Sequence, residues 1–196
     1  GHVVLNGMET VNKIVQDDTI VSVTIIRKGQ EAKKFDAAKV FSDYFINSEN
    51  KIAEKVALFE KSKATAIKTP SGLQYMIIEK GTGKKPVDGT PIFIHYAGFF
   101  ENGMLFDSSI EQVAKDFGKY DEARSVQGGY QPIAFQAGKK VGMIPGFIEG
   151  IEQLSFGDRA LIFIPANLAY GEAGAGNVIP PNTPLIFDIT LMEKTK

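Results

Sequence analysis

The sequence predicts an antiparallel α+β domain preceded by a mainly helical N-terminal extension. Beyond residue 72, short apolar or alternating runs recur between turn residues with only one short helical pattern. Without βαβ alternation there is nothing to build a parallel sheet. Between residues 36 and 62, by contrast, apolar side chains recur at helical spacing. The two regions are divided by Thr69, Pro70, Ser71 and Gly72, a turn cluster. With 196 residues, 43% of them hydrophobic, the chain is long enough for one large or two small domains with a buried core.

Taken in order, the first helix is expected within GHVVLNGMETVNKIV. Asn6 can cap it, Glu9 stands three residues later as in a capping box, and Met8, Val11, Ile14 and Val15 form an apolar stripe. From Ile20 to Gly29, Val21, Val23 and Ile25 alternate with Ser22, Thr24 and Ile26, which suits a strand. A second helix is signalled by Asp36, a natural N-cap, with Phe35 placed to staple onto Val40. Phe41, Phe45, Ile52, Val56 and Phe59 then mark one face until about Ser62, a length of about 40 Å if unbroken. Asn47, Ser48 and Asn50 are poor helix formers, and an interruption is expected there. The aromatic stripe is either a dimer seam or a face packed on its own domain.

After the turn cluster, strands are expected near Leu73–Glu79, Ile92–Phe99, Pro132–Ala137, Arg159–Ile164 and Leu185–Met192. One helix fits Pro145–Leu154, with Pro145 in its first turn and Phe147, Ile148, Ile151 and Leu154 turned toward a sheet. Strand parity sets Ile92, Ile94 and Tyr96 on one face, as it does Leu185, Phe187 and Ile189. The opposite face then carries Phe93, Ala97, Leu161, Phe163 and Ile186, a patch too apolar for a monomer's solvated surface. Part of it should be covered by residues 1–65 or by a second copy.

Composition excludes several function classes. Lys plus Arg number 22 against 23 Asp plus Glu, a net charge of −1, so no cationic surplus exists for nucleic-acid phosphates or anionic lipid. With no cysteine there is no disulfide, thiolate nucleophile or cysteine metal site, and the redox compartment stays open. The two histidines, His2 and His95, are not in metal-ligand spacing, and no metal is expected. No apolar run reaches the ~20 residues of a membrane-spanning helix. GTGKK at Gly81 lacks the spacing of a phosphate loop, and GEAGAG at Gly171 leads to prolines instead of a helix.

Three stretches carry a resemblance: IHYAGFFENGMLFDSS (Ile94–Ser109), VGMIPGFIEGIEQLSFGDRALIFIP (Val141–Pro165) and LAYGEAGAGNVIPPNTPLIFDITL (Leu168–Leu191). In this order they resemble the FKBP-type peptidyl-prolyl cis-trans isomerases, the tacrolimus-binding class, over about residues 69–196. The resemblance implies a curved sheet wrapped on one short helix, isomerase activity in protein folding, and no cofactor. It implies proline-containing polypeptides as substrates, macrolides such as tacrolimus or rapamycin as ligands, and no nucleic acid. Carried over by motif, Asp107, Tyr96 and Tyr170 would be the catalytic residues. Phe106, Ile133, Met143, Ile144, Phe147, Val178, Ile179 and Phe187 would bind substrate, with the Tyr170 hydroxyl and the Ile144 backbone N–H as donors to the substrate carbonyl. His95 alternates away from Tyr96 and is expected on the sheet face.

The chain also departs from the family. Phe147 stands where tryptophan is common, and Ala175 lies in a loop where many members carry histidine. The stretch EQVAKDFGKYDEARSVQGGY between Ile110 and Gln131 is longer than in the smallest members; it is a solvated loop or an element that flanks and gates the pocket. Residues 1–35 resemble the C-terminal end of a cyclophilin-type isomerase, which would precede this segment in the natural protein. The expected division is thus 1–35, a helical linker at 36–68, and an isomerase domain at 69–196. A homodimer through the N-terminal segments and a bacterial periplasmic or envelope location, with the cytoplasm as the alternative, follow from the family's helix-plus-isomerase layout. A module that uses the same pocket for binding alone, as a chaperone or scaffold, is the competing function.

Overall fold

The computed structural model describes residues 28–193, the side chain of Tyr44 excepted. The helix expected around Asn6–Val15 and the strand from Ile20 lie outside the described residues. The chain forms two compact units, residues 1–40 and 41–196. In the first, α1 (Gln30–Lys34) is a single short turn of helix that the sequence pattern did not announce. Next comes α2 (Ala37–Thr65), which belongs to the second unit from Phe41 onward. As expected, Asp36 caps it, its Oδ1 accepting the Lys39 N–H at 3.0 Å. Phe35 and Val40, the expected staple, are each about half exposed.

The interruption expected at Asn47–Asn50 does not occur; α2 is one continuous 29-residue helix. Helix-propensity penalties at three residues total only ~1–2 kcal/mol, and breaking the helix would forfeit several backbone hydrogen bonds plus the tertiary contacts of the turns that follow. Those contacts are made by the second half of the stripe. Phe59 is 2% exposed and meets Phe99 edge to face at 5.4 Å.

Seven antiparallel strands form the sheet: β1 (Ile67–Lys68), β2 (Gln74–Glu79), β3 (Pro91–Phe99), β4 (Leu105–Ser108), β5 (Ile133–Gln136), β6 (Arg159–Ile164) and β7 (Leu185–Met192). The spatial order is β1-β2-β6-β7-β3-β4, and β5 also pairs with β3. Register sets Tyr96 opposite Ile189 and Gly98 opposite Phe187. Between β4 and β5 lie two short helices, α3 (Glu111–Asp116) and α4 (Glu122–Val126), so the long insert is not a plain loop. The core helix α5 (Pro145–Glu152) begins with its proline in the first turn.

The inner face of the sheet and α5 share one core that includes Ile94, Phe147, Ile162, Phe187 and Ile189. Two glycines let the helix lie close to the sheet. A Cβ on Gly146 would stand 2.3 Å from Ile164 Cγ2, and one on Gly150 would stand 2.4 Å from Ile162 Cδ1. These contacts explain glycine inside a helix, where it otherwise costs ~1 kcal/mol relative to alanine.

The outer face is covered as expected, by α2 of the same chain. Ala97, Leu161, Phe163 and Ile186 are at most 5% exposed and pack with Phe59 in a second cluster. Full burial of a leucine, phenylalanine or isoleucine side chain is worth ~1.5–3 kcal/mol. Phe93, nearer the strand's start, is half-buried. Amid this apolar layer Asp188, 8% exposed, accepts two bonds from Arg159, at 2.8 and 2.9 Å, and one from Lys55 of α2 at 3.1 Å. Burial alone would raise the Asp188 pKa, but the two cations outweigh it and hold the carboxyl below the usual range.

Candidate functional site

A concave pocket of about 210 Å³ opens where β3, β4, β5, α5, β7 and the loop after β6 converge. Its walls are aromatic because strand parity turns Tyr96 and Phe187 inward beside the first turn of α5. Phe147 meets Phe187 edge to face at 5.0 Å and Tyr96 at 6.3 Å. Phe106 closes the box against Phe187 at 5.6 Å. Its ring lies directly on the backbone of Gly98, where a Cβ would come within 2.3 Å of Phe106 Cζ. Only glycine lets that ring lie so close to β3. Ile133, Met143 and Ile144 line the remaining apolar edge, with Gly142 beside them.

Polar atoms are few and sit at the rim. The Tyr96 hydroxyl donates to Asp107 Oδ2, and Arg124 Nη1 donates to Asp107 Oδ1 at 2.6 Å. Burial pushes the Tyr96 hydroxyl well above its usual pKa, and the adjacent carboxylate adds to the shift, so this group stays a donor. Arg124 loses hydration on burial, yet the Asp107 carboxylate still holds its pKa above the ordinary value. Both Asp107 oxygens are thus engaged, and the carboxylate ties Tyr96 and Arg124 together at the rim. The Tyr170 side chain also lines the pocket and is 40% exposed. Among the described residues, no group of the chain bonds its hydroxyl, which leaves that donor available to a ligand.

Nine of the eleven residues expected at the site line this one pocket: Asp107, Tyr96, Tyr170, Phe106, Ile133, Met143, Ile144, Phe147 and Phe187. Val178 and Ile179 do not. Val178 is 58% exposed and lines a separate groove with Phe100, Met104 and Pro180. Ile179 is 4% exposed and packed in the inner core, held there by the backbone bonds Ala175 N–H to Ile179 O, 2.8 Å, and Ile179 N–H to Ala175 O, 3.1 Å. These bonds close a tight loop that leaves Val178 exposed and Ile179 in the core beside Phe147 and Phe187. Arg124 is the group that residue-by-residue reading missed, because it enters from the insert, 17 positions beyond Asp107. His95 is outside the pocket lining; its Nδ1 lies 3.0 Å from Ser109 Oγ, and burial lowers its pKa below the usual imidazole value. Among the described residues no cluster of His, Cys, Asp and Glu has the arrangement of a metal site.

The chain is similar to known proteins of one family. A family model described as FKBP-type peptidyl-prolyl cis-trans isomerase matches residues 82–192. The chain is 36% identical over 145 residues to a probable FKBP-type peptidyl-prolyl cis-trans isomerase FkpA of Neisseria meningitidis, covering 74% of this chain and 46% of that protein. It is 32% identical over 170 residues to the outer membrane protein MIP of Legionella longbeachae, covering 87% and 60%. The crystal structure of FkpA from Escherichia coli is similar at a TM-score of 0.51 and 31% identity, over 81% of this chain and 63% of that one. The chain thus spans roughly half the length of the curated relatives it matches. Nothing in the comparisons supports the cyclophilin resemblance of residues 1–35. The match across strands, pocket motifs and core helix identifies the chain as belonging to the FKBP-type peptidyl-prolyl cis-trans isomerase family.

Proposed function

We propose that this chain catalyses cis–trans isomerisation of Xaa-Pro bonds in polypeptides and thereby assists their folding. The observation that carries it is the aromatic box of Tyr96, Phe106, Phe147 and Phe187 with its sparse polar rim. Rotation about the bond faces a barrier of ~18–20 kcal/mol because amide resonance must be lost. The planar amide is dipolar and well solvated by water, whereas the twisted amide is less so. A water-poor apolar pocket therefore favours the twisted form relative to the planar one, with no bond broken. The proline ring would occupy the box, the Tyr170 hydroxyl would donate to the substrate carbonyl, and the Asp107–Tyr96 pair would hold the rim. Ile133, Met143 and Ile144 would complete the apolar contact.

The activity is assigned to residues 69–196, with 36–68 as a helical linker whose second half roofs the sheet. Macrolides such as tacrolimus and rapamycin would compete for the same box. A homodimer through the N-terminal helix is supported by Phe41 and Ile46, which are 65% and 51% exposed at the start of the 41–196 unit. A bacterial envelope location is supported by the name of the Legionella relative, an outer membrane protein; among the described residues no helix is long and apolar enough to cross a membrane. The test is isomerisation of a proline tetrapeptide by the purified chain, with and without tacrolimus. Turnover abolished by the macrolide is expected. Macrolide binding without turnover would replace catalysis with a binding-only role, and neither binding nor turnover would remove the assignment of the pocket.

A further inference from the structure

The insert between β4 and β5 is built around one side chain, Arg124. Its Nη1 reaches Asp107 in the pocket at 2.6 Å, its Nε donates to Gly129 O at 3.1 Å, and its guanidinium carbon lies 4.7 Å from the centre of the Tyr130 ring. Tyr130 is 8% exposed in a segment whose neighbours are mostly exposed. Its hydroxyl accepts the Asp121 N–H at 2.9 Å, and Asp121 in turn caps α4 by accepting the Arg124 N–H at 3.0 Å. Tyr120 stacks on Tyr130, with centroids 5.9 Å apart and planes 12° from parallel. Lys115 Nζ lies 4.6 Å from the centre of the Tyr120 ring. Gly129 completes the seat, since a Cβ there would come 2.5 Å from Arg124 Cγ.

A five-residue helix such as α4 does not hold its own shape in water, and an arginine on it would sample many rotamers. A buried aromatic plate under the guanidinium removes that freedom and leaves the planar donors aimed at one carboxylate. We infer that Tyr130, backed by Tyr120, is a positioning residue that fixes Arg124 on Asp107, which makes the insert a clamp on the pocket rim. The catalytic consequence rests on the isomerase reading; the positioning itself does not. An unclamped Asp107 would be free to leave the Tyr96 hydroxyl, so substrate would meet a rim that must first be ordered.

The experiment uses Tyr130→Leu, Tyr130→Phe, Arg124→Gln and the Leu/Gln double variant of the full chain. In the wild type the Arg124 Nε–H group should show an NMR order parameter near the rigid-backbone value of about 0.85; Tyr130→Phe should keep it, and Tyr130→Leu should drop it below about 0.6. For isomerisation, Tyr130→Leu should lower kcat/KM about three- to tenfold, Tyr130→Phe should restore most of it, and Tyr130→Leu should add nothing in the Arg124→Gln background. If Tyr130→Leu does not fold, Tyr120→Leu, at a ring already 39% exposed, serves in its place and must also loosen Arg124. Unchanged Arg124 order in the leucine variant, or additive losses in the double variant, would overturn the inference. A wild-type chain without turnover would strike the isomerase reading instead, and the order parameters would still decide this one.

Discussion

Truncating the pocket floor with Phe147→Ala should separate two roles of one ring. Phe147 is 4% exposed and touches Phe187 and Tyr96 edge to face. A phenylalanine buries ~150–250 Å², worth about 5 kcal/mol at 25 cal/mol/Å² with an extended-chain reference. A realistic unfolded state already hides up to ~40% of such area, which reduces the figure to about 3 kcal/mol. The void would open into the pocket and admit water, so no separate cavity cost is added, and the value falls at the low end of the ~3–5 kcal/mol typical of Phe→Ala. For a chain of this size that corresponds to a melting point lower by about 6–12 °C. Under conditions where the variant stays folded, a proline ring deprived of this wall should lose about 1.5–3 kcal/mol of apolar contact, or about 10- to 150-fold in kcat/KM. The checks are a urea midpoint at unchanged slope and proline-peptide turnover at 10 °C. Phe147→Leu should recover most of the stability and only part of the turnover. A Phe147→Ala protein that melts early yet isomerises within twofold of wild type would refute the seat assigned to the proline ring.

Asp188→Asn should destabilise by about 2–3 kcal/mol, below the ~3–5 kcal/mol of a fully buried broken pair because Arg159 and Lys55 are partly solvated. Since the folded-state pKa of Asp188 is lowered, its contribution is complete above the unfolded value of about 4 and is lost as pH falls through the folded one. The variant's urea midpoint should therefore decline less steeply than wild type below pH 4 and run parallel to it between pH 5 and 8. Tyr170→Phe removes one neutral hydrogen bond of ~0.5–1.5 kcal/mol to the ligand, so tacrolimus affinity and kcat/KM should fall about two- to tenfold. The melting point should stay unchanged, because the side chain is 40% exposed and bonds nothing else. Gly98→Ala forces the Phe106 ring off β3 and should cost ~1–3 kcal/mol of stability together with macrolide binding, measured by calorimetric titration. Retained affinity there would mean that Phe106 is no part of the ligand's seat.

The elements most legible in the chain were those whose evidence is local. Arg159–Ile164 and Leu185–Met192 were readable as strands to the residue because each is a β-branched and aromatic run bounded by turn residues. The two-residue alternation also set Tyr96 and Phe187 on one face and Leu161, Phe163 and Ile186 on the other, which led directly to a covered outer face. The short strand β4 was not recognised, since four residues show too little periodicity, and neither were α1, α3 and α4. The break expected in α2 failed for a different cause: intrinsic propensity at Asn47–Asn50 is weak beside the packing of Phe59 on the sheet.

By itself, the sequence determined the fold class and the inward aromatics and, through the family motif, placed Asp107 beside them, because period, turn chemistry and motif order are properties of neighbours along the chain. The tertiary structure decided which expected wall residues line one pocket and what holds the carboxylate. Val178 and Ile179 follow Tyr170 within nine positions, yet the hydrogen-bonded loop through Ala175 leaves one exposed and the other buried. Arg124 reaches Asp107 only after two short helices and a pair of stacked tyrosines fold the insert back over the rim. Along the aromatic stripe of α2, Phe59 packs inside its own domain while Phe41 stays exposed. Helical spacing is the same for both; the difference arises from where the sheet lies beneath the helix, and contacts between residues distant in sequence leave no periodic signal.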